Sequence, residues 1–399
     1  MMAAIRAGEL GQSVTLIEKN PSLGRKLLFS GKGRCNLTNA CDLDSFLKRF
    51  SHNGDFLRDA FRKFFNTELM RFFEKRGLRL RTERQLRVFP ETNSSVSVLK
   101  TLERELNSLK VKILLDAGAR DIITQDRRVK GVILSNGATI GADRIILATG
   151  GMSYAFTGST GDGLRFAVSS GHRAVEARPG LVPLKTLQKF PARLEGLALK
   201  NIKLSFSAGA TSFSSETGEL IFTSFGVSGP LVLTLSGRII DLLEKEKGVR
   251  MEIDFKPALT EEQLHARLLR EFKENSKKSI KGVLYSLLPK KMAIVFLEVA
   301  GIAQDKKVSH LVQAERLKIV KLLKGFPLNI VASLPLEEAM VTRGGVSLKD
   351  INPRTMESRL IKGLYFAGEM IDIDADTGGF NLQAAFSTGF LSGESAALS

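Results

Sequence analysis

Two kinds of hydrophobic spacing alternate along the chain and predict a mixed α/β protein. "MMAAIRAGEL", residues 1–10, is rich in helix-forming residues, and the short apolar run of "SVTLIE", residues 13–18, predicts a buried strand. Residues 45–109 have apolar positions at helical spacing, so we expect this stretch to be mainly helical. In residues 110–151, short apolar runs separated by turn residues predict a small antiparallel sheet and a final buried strand at "RIILATGG".

The second half of the chain predicts an inserted domain. The pattern is β-like from Pro191 to Asp254, helical and basic from Pro257 to Leu323, and then returns to a glycine-rich β/α pattern. The expected division is a nucleotide-binding domain in two parts, residues 1–188 and 340–399, an inserted β-rich domain, residues 189–256 and 325–339, and a helical subdomain of that insert, residues 257–324.

Charge and composition narrow the choice of partners. The chain has 399 residues and a formal net charge of +17, which favours anionic partners such as RNA, although a solvated basic surface gives the same count. Two cysteines, Cys35 and Cys41, cannot build a disulfide framework, which indicates a reducing, cytoplasmic compartment. We expect no membrane span or signal peptide, and no metal site, because the four histidines are scattered. The sequence does not indicate an oligomeric state.

Glu18 ends the first predicted strand, as the ribose-binding acid does in the second half of a βαβ nucleotide-binding unit. The first half of such a unit, a strand and a G-x-G-x-x-G turn of about 12–15 residues, does not precede it. A start assigned too late and a true N-terminal truncation both explain this pattern. We expect a chain without that turn to hold its cofactor weakly.

The stretch "GRKLLFSGKGRCNLTN", residues 24–39, combines glycines with cations. Gly31 and Gly33 allow close backbone approach and an anion-binding arc of amides, and Arg25 and Lys26 supply charge for a phosphate. Arg34 and Asn36 belong to the same candidate site. An ordinary basic surface turn is the alternative interpretation.

Two further segments predict close passage of the chain beside a dinucleotide. The strand entering "ATGG" brings Thr149, Gly150 and Gly151 to a glycine turn, although a plain strand–turn–helix explains the same residues. In "FAGEMIDIDADTGGFNLQAAF", Gly379 precedes a predicted helix whose N-terminus would favour the negative charge of a reduced flavin.

Together with "GELIFTSFGVSGP" and "AMVTRGGV", these segments resemble the BaiN/RdsA (YhiN-type) family of FAD-dependent flavoproteins over essentially the whole chain. The resemblance implies a glutathione-reductase-like, Rossmann-type FAD-binding domain carrying an inserted β-rich domain and a helical subdomain. It implies that Glu18 holds the adenosine ribose, that Arg25 and Lys26 lie along FAD, and that Ala119 meets the adenine through its backbone. It also implies that Gly368, Glu369, Asn381 and Leu382 line the pyrophosphate, the ribitol and the flavin ring.

The reaction implied by this resemblance is reduction of a ring C=C bond by hydride from flavin N5, with a reduced nicotinamide, NAD(P)H, as transient electron donor. Uridine in ribosomal RNA and a small-molecule enone are the two substrate classes. Cys35 and Tyr154 are candidate proton donors, and packing roles are the alternative for both. A flavin-dependent amine oxidase and a cofactor-poor RNA-binding protein stay open as other functions.

Overall fold

The computed structural model describes residues 1–399 and separates into two compact units. Unit 1 comprises residues 1–180 and 335–399, and unit 2 comprises residues 181–334. The boundaries expected from the sequence, 188/189 and 339/340, lie eight and five residues C-terminal to these positions.

The chain forms thirteen α-helices and nineteen strands. The helices are α1 (Met2–Glu9), α2 (Arg25–Phe29), α3 (Leu43–Leu47), α4 (Arg58–Lys63), α5 (Asn66–Lys75), α6 (Ser95–Ser108), α7 (Asp162–Ser169), α8 (Pro230–Leu243), α9 (Glu261–Glu274), α10 (Ile280–Leu284), α11 (Lys290–Ala300), α12 (Gln313–Lys324) and α13 (Phe380–Leu398). The strands are β1 (Thr15–Ile17), β2 (Thr38–Asn39), β3 (Leu80–Thr82), β4 (Arg87–Pro90), β5 (Lys112–Leu114), β6 (Ala119–Gln125), β7 (Arg128–Leu134), β8 (Thr139–Gly141), β9 (Ile145–Leu147), β10 (Ala174–Gly180), β11 (Leu184–Thr186), β12 (Ala198–Ala208), β13 (Thr211–Ser214), β14 (Gly218–Thr223), β15 (Gly226–Ser228), β16 (Val249–Asp254), β17 (Phe326–Ser333), β18 (Val341–Val346) and β19 (Leu364–Phe366).

Unit 1 contains two parallel strand pairs that deliver the candidate segments. β1 pairs with β5, in the register Thr15↔Lys112, and β9 pairs with β19, in the register Ile145↔Leu364. The two pairs are not hydrogen-bonded to each other. Glu18 follows β1 directly, "ATGG" follows β9 and "AGE" follows β19, so the carboxyl ends of these strands lead into three of the candidate segments.

The long helix α13 packs closely on α1 because glycines on one face allow it. A Cβ atom added at Gly393 would lie 2.4 Å from the carbonyl oxygen of Ala3, and one at Gly389 would lie 3.4 Å from the Met2 side chain. Further along α13, the ring of Phe390 stacks on that of Phe64 with centroids 4.4 Å apart. Small residues thus admit the neighbouring backbone while aromatic residues fill the space beside it.

The expectation of a mainly helical stretch from 45 to 109 misses a hairpin. β3 and β4 pair in antiparallel register, Leu80↔Pro90 and Thr82↔Val88, and β2 adds a third strand against β4. The five charged side chains between Arg79 and Arg87 obscure the strand pattern, because only Val88, Phe89 and Pro90 are buried on β4.

Unit 2 is an antiparallel barrel with helices that share its core. Its sheet order is β13-β12-β14-β15-β11-β17-β16, and an additional pairing of β12 with β16 closes six of these strands into a ring. Helices α9 to α12 follow β16, and Phe255, Phe296 and Phe326 join barrel and helices through ring contacts of 5.8–6.4 Å. The predicted helical subdomain therefore has no core separate from the barrel.

Candidate functional site

The glycine-rich loop folds into a left-handed arc directly after α2. Gly31, Lys32 and Gly33 have φ of 56°, 59° and 81°, and the amides of Arg34 and Cys35 close the arc by bonding to the carbonyls of Gly31 and Ser30. Such a succession of turn conformations presents backbone N–H groups to one side, which suits an anion. Three successive residues at positive φ thus give this loop an arc-shaped backbone.

Lys26 is the centre of a polar cluster that joins four separate chain segments. Its ammonium donates to Glu369 Oε2 at 2.5 Å, to Ser153 Oγ at 2.7 Å and to the Ser153 carbonyl at 3.2 Å. Glu369 Oε1 accepts from Ser153 Oγ at 2.9 Å and from the Thr342 amide at 2.8 Å. We call Lys26, Ser153, Thr342 and Glu369 the Lys26–Glu369 cluster. Every charge in it has an opposite charge and neutral hydrogen-bond partners.

A second polar group lies at the end of β1. Glu18 Oε1 accepts from the backbone and side-chain amides of Asn20 at 2.9 and 2.7 Å, and Asn20 Oδ1 accepts from Arg25 at 2.9 Å. Asn20 thereby fixes the predicted ribose acid relative to the predicted phosphate cation.

The next residue, Lys19, turns to the start of α7, where its ammonium lies 2.7 Å from Asp162 Oδ2. Burial is the largest single influence and raises the pKa of Asp162. The hydrogen bond and charge of Lys19, together with Thr160 and Arg165, outweigh burial, so the pKa lies below its ordinary value. The segments after β1 and β9 are therefore tied by an ion pair as well as through Lys26.

The predicted glycine turn after β9 approaches its neighbours at van der Waals limits. Gly150 has φ of 76°, and a Cβ there would lie 2.8 Å from Ser159 Oγ; a Cβ at Gly151 would lie 2.3 Å from Thr342 Oγ1. Thr149, the preceding residue, contacts Met370 Sδ at 3.9 Å. A depression beside this turn is lined by Gly151, Thr342, Glu369 and neighbouring residues.

The N-terminus of α13 is held against β2. Gly379 has φ of 99°, and a Cβ there would lie 2.5 Å from the Thr38 backbone. Asn39 Nδ2 donates to the carbonyls of Gly378 and Gln85, and the Asn381 side chain bonds the backbone of Ala375 at 2.8 and 3.0 Å. Leu382 lies in the first turn of α13 and packs at the edge of the core formed with α1.

The remaining predicted residues lie in different surroundings. Arg34 pairs with Glu83 at 2.5 Å, and Ala119 begins β6 and is half-buried. Cys35 is fully buried among apolar side chains, and burial raises the pKa of its thiol to about 12. Tyr154 is half-buried, burial raises its pKa, and its ring lies 5.5 Å from that of Phe156. Both candidate proton donors are therefore neutral at physiological pH.

The residues present fit FAD. Asn36 Oδ1 is buried and accepts no hydrogen bond, so it needs a donor such as a cofactor hydroxyl or ring N–H. The left-handed arc, the carboxylate at the end of β1 and the half-buried first turn of α13 complement a diphosphate, a ribose and an electron-rich ring.

Sequence reasoning missed four residues that position the site: Asn20, Asn39, Ser153 and Thr342. Each is a small polar residue within or next to a segment that was singled out for its glycines and charges. The signal available was proximity to those segments; only the fold shows that Thr342 Oγ1 accepts from the amides of Met152 and Ser153 at 2.8 and 3.0 Å.

A family model described as the HI0933-like protein Rossmann domain matches residues 1–395. The chain belongs to this family. Among its relatives, a 3-dehydro-bile acid Δ(4,6)-reductase from Clostridium scindens is 33% identical over 96% of this chain and 92% of its own length. A ribosomal RNA dihydrouridine synthase from Haemophilus influenzae is 29% identical over 98% of this chain and 94% of its own length. The resemblance seen in the sequence is confirmed.

Solved structures of flavoenzymes share the fold. The 3-ketosteroid-Δ4-(5α)-dehydrogenase from Rhodococcus jostii RHA1 superimposes with a TM-score of 0.54 at 16% identity, over 99% of this chain and 94% of that one. The HI0933-like chain is thus an FAD-dependent oxidoreductase with a Rossmann-type FAD-binding domain, as the sequence predicts.

None of the helices combines the length and the apolar composition needed to cross a bilayer.

Proposed function

We propose that this HI0933-like chain uses FAD to reduce a ring C=C bond that is polarised by an adjacent carbonyl group, with a reduced nicotinamide as electron donor. The observation that carries the proposal is the Lys26–Glu369 cluster, which brings the glycine-rich loop, the "ATGG" turn and the "AGE" segment to one place. Two relatives, a bile acid reductase and a dihydrouridine synthase, are named for reactions of this kind.

In this proposal each segment holds one part of the cofactor. Glu18 accepts from the adenosine ribose, and the backbone of Ala119 meets the adenine. The arc at Gly31 and Gly33, with Arg25, holds the diphosphate. Glu369, fixed by Lys26 and Ser153, accepts from the ribitol chain, and the first turn of α13 stabilises negative charge on the ring. Bound FAD would supply the hydride.

We propose uridine in an RNA as the substrate, because cations and aromatic rings border the glycine-rich loop. Arg79, Arg84 and Arg87 of the β3–β4 hairpin have no carboxylate partner, unlike Arg81, which pairs with Glu83. The hairpin contacts the loop, since the Arg34 guanidinium lies 4.1 Å from the Phe89 ring centroid.

Phe29, the last residue of α2, and Phe156 are each 54% exposed and meet edge to face with ring centroids 5.0 Å apart. Exposed rings and unpaired cations suit a single-stranded nucleic acid, whose bases stack while its phosphates are neutralised.

A small-molecule enone is the second candidate. It is favoured by the 33% identity with the bile acid reductase, which exceeds the 29% identity with the dihydrouridine synthase. An apolar ring would use Phe29 and Phe156 without the hairpin cations.

The test begins with the visible spectrum of the FAD-loaded protein and its anaerobic bleaching by NADH and by NADPH. Reoxidation of the bleached protein is then followed with a uridine-containing RNA, with a steroid enone and with oxygen alone. Faster reoxidation by one alkene than by oxygen supports the proposal, and reoxidation by oxygen alone contradicts it.

The variant Phe29→Ala, together with measurements at several salt concentrations, distinguishes the two substrates. RNA as substrate predicts that the variant loses about 1–3 kcal/mol of RNA binding and that binding weakens steeply with salt. Val175→Ala, a matched change at an exposed apolar residue of β10, should leave binding unchanged. Salt-independent turnover of the enone would favour the small molecule.

A further inference from the structure

A second polar cluster lies on the loop between Glu369 and α13, outside the residues assigned so far. Asp372 and Asp374 are each 7% exposed, and they meet Ser51 and His52 from the segment before α4. Ser51 Oγ lies 2.7 Å from Asp374 Oδ1 and 2.9 Å from His52 Nδ1, and His52 Nε2 lies 3.5 Å from Asp372 Oδ1. We call these four residues the His52–Asp374 cluster.

This cluster forms a continuous line of proton-exchanging groups from solvent to a buried carboxyl. The His52 side chain is 45% exposed and reaches water, the Ser51 hydroxyl lies between, and Asp374 is the inner end. When both ring nitrogens carry protons, His52 Nδ1–H donates to Ser51, and Ser51 donates to Asp374. The Nε2–H group then faces the Asp372 carboxylate, which can hold the ring in that orientation, as a carboxylate does in other proton-transfer sites.

The cluster is incompletely neutralised. Asp372 Oδ1 is buried and accepts no hydrogen bond, and the bond from Asn53 to Asp372 Oδ2 is long, at 3.4 Å. Burial raises the pKa of Asp374, against the opposing influence of Ser51, Arg343 and His52, and the Asp372 charge raises it further. The nearby Asp376 is paired with Arg49. A carboxyl group in these surroundings keeps its proton closer to neutral pH than an ordinary aspartate does.

The position on the chain suits a role in the reaction. Ser51 is fixed to this loop because its amide donates to the Asp374 carbonyl at 3.0 Å, and the Asp372 amide donates to Val346 at the end of β18. The loop begins at Glu369 and ends at Gly379, and both ends belong to the segments proposed to hold FAD.

We propose that Asp374, Ser51 and His52 form the path that delivers the proton required for C=C reduction. This inference rests on the proposed function. Reduction of the alkene adds one hydride, from the reduced flavin, and one proton. As the second C–H bond forms, the Asp374 O–H bond breaks and leaves a carboxylate. Ser51 then gives its proton to Asp374 and takes one from the His52 imidazolium, and water reprotonates His52.

The experiment measures each half of the reaction separately in Asp374→Asn, Ser51→Ala and His52→Gln, with the exposed His310→Gln of unit 2 as the matched control. Bleaching of the flavin by the nicotinamide does not use this path and should keep the wild-type rate in all four. Reoxidation by the alkene should fall about 10²–10⁴-fold in Asp374→Asn, the range for loss of a general acid. It should fall by a smaller factor in the Ser51 and His52 variants, and not at all in His310→Gln.

A readout without turnover tests the path directly. In protein labelled with ¹³C at aspartate carboxyls, the resonance that disappears in Asp374→Asn should titrate above the ordinary aspartate range. Its titration should move in Ser51→Ala and His52→Gln but not in His310→Gln.

An Asp374→Asn protein that reoxidises at the wild-type rate overturns the proton path while leaving the proposed function intact. So does an Asp374 titration in Ser51→Ala and His52→Gln that matches the wild type. Reoxidation at the wild-type rate in both of those variants also overturns the path, and that comparison does not require Asp374→Asn to fold. A wild-type protein that binds FAD but reduces no alkene overturns the proposed function instead.

Discussion

The Lys26–Glu369 cluster and the His52–Asp374 cluster lie at adjacent points of the same loop, yet they differ in how completely their buried charges are paired. In the first, one ammonium and one carboxylate are paired at 2.5 Å, and the Ser153 hydroxyl and Thr342 amide satisfy the oxygens that remain. In the second, Asp372 faces the half-exposed His52 imidazole, Asp374 accepts a hydrogen bond from the Ser51 hydroxyl, and one Asp372 oxygen accepts no hydrogen bond.

The difference indicates two different roles for the clusters. A saturated ion pair keeps its protonation state and its geometry, so it suits positioning. A cluster that contains an unbonded oxygen and a carboxyl group of raised pKa changes its protonation at little cost in free energy, so it suits proton transfer. Three predictions bear on this contrast, taken from the largest expected effect to the smallest.

Glu369→Gln should have the largest effect. It removes the charge opposite Lys26 and leaves a half-buried ammonium with neutral partners, which should lower the free energy of unfolding by about 1–3 kcal/mol and weaken FAD binding by a similar amount. Urea unfolding and flavin titration measure the two losses.

The matched control is Glu298→Gln, which breaks the pair with Arg193 on the surface of unit 2. Both of those side chains are more than 40% exposed, so the change should cost less than about 1 kcal/mol and leave FAD binding unaltered. Equal losses in the two variants would mean that the Lys26–Glu369 pair is no more than a surface ion pair.

Thr342→Val should have the next largest effect. The side chain is buried and keeps nearly the same shape, but the Met152 and Ser153 amides lose their acceptor, at a cost of about 1–3 kcal/mol. Amide hydrogen exchange at Met152 and Ser153 should accelerate. The same substitution at the exposed Thr211 of β13 provides the control; unchanged exchange at residues 152–153 would show that another group satisfies them.

The sequence alone predicts the first cluster better than the second, for a physical reason. Lys26 lies in a stretch rich in glycines and cations, and Glu369 lies in a segment of the family resemblance, so both were candidates before the fold was known, whereas Ser153 and Thr342 were not. Asp374 and His52 are 322 positions apart and have no motif in common. Only packing of the Ser51 segment against the loop before α13 brings them together.

The fold likewise divides into elements that have a local sequence pattern and elements that depend on long-range pairing. Strands with uninterrupted apolar runs, such as β1 and β9, are visible in the sequence, as are helices such as α5 with apolar residues at regular spacing. The β3–β4 hairpin is not, because most of its side chains face solvent and its pairing with β2 comes from residues about 50 positions away. Closure of the barrel by β12 and β16 likewise depends on long-range pairing that no local pattern indicates.

Asp374→Asn should have the smallest effect on stability, and that effect should change with pH. Because the folded-state pKa of Asp374 is raised, this carboxyl contributes stability that is fully present below the pKa of the unfolded chain and is lost as pH rises through the folded-state value. The amide cannot ionise, so the stability of the variant relative to the wild type should increase on going from pH 4 to pH 8. Unfolding midpoints at the two pH values measure it. If the stability of the variant relative to the wild type does not increase between pH 4 and pH 8, Asp374 is an ordinary charged partner of its neighbours, and the two clusters do not differ in the way proposed.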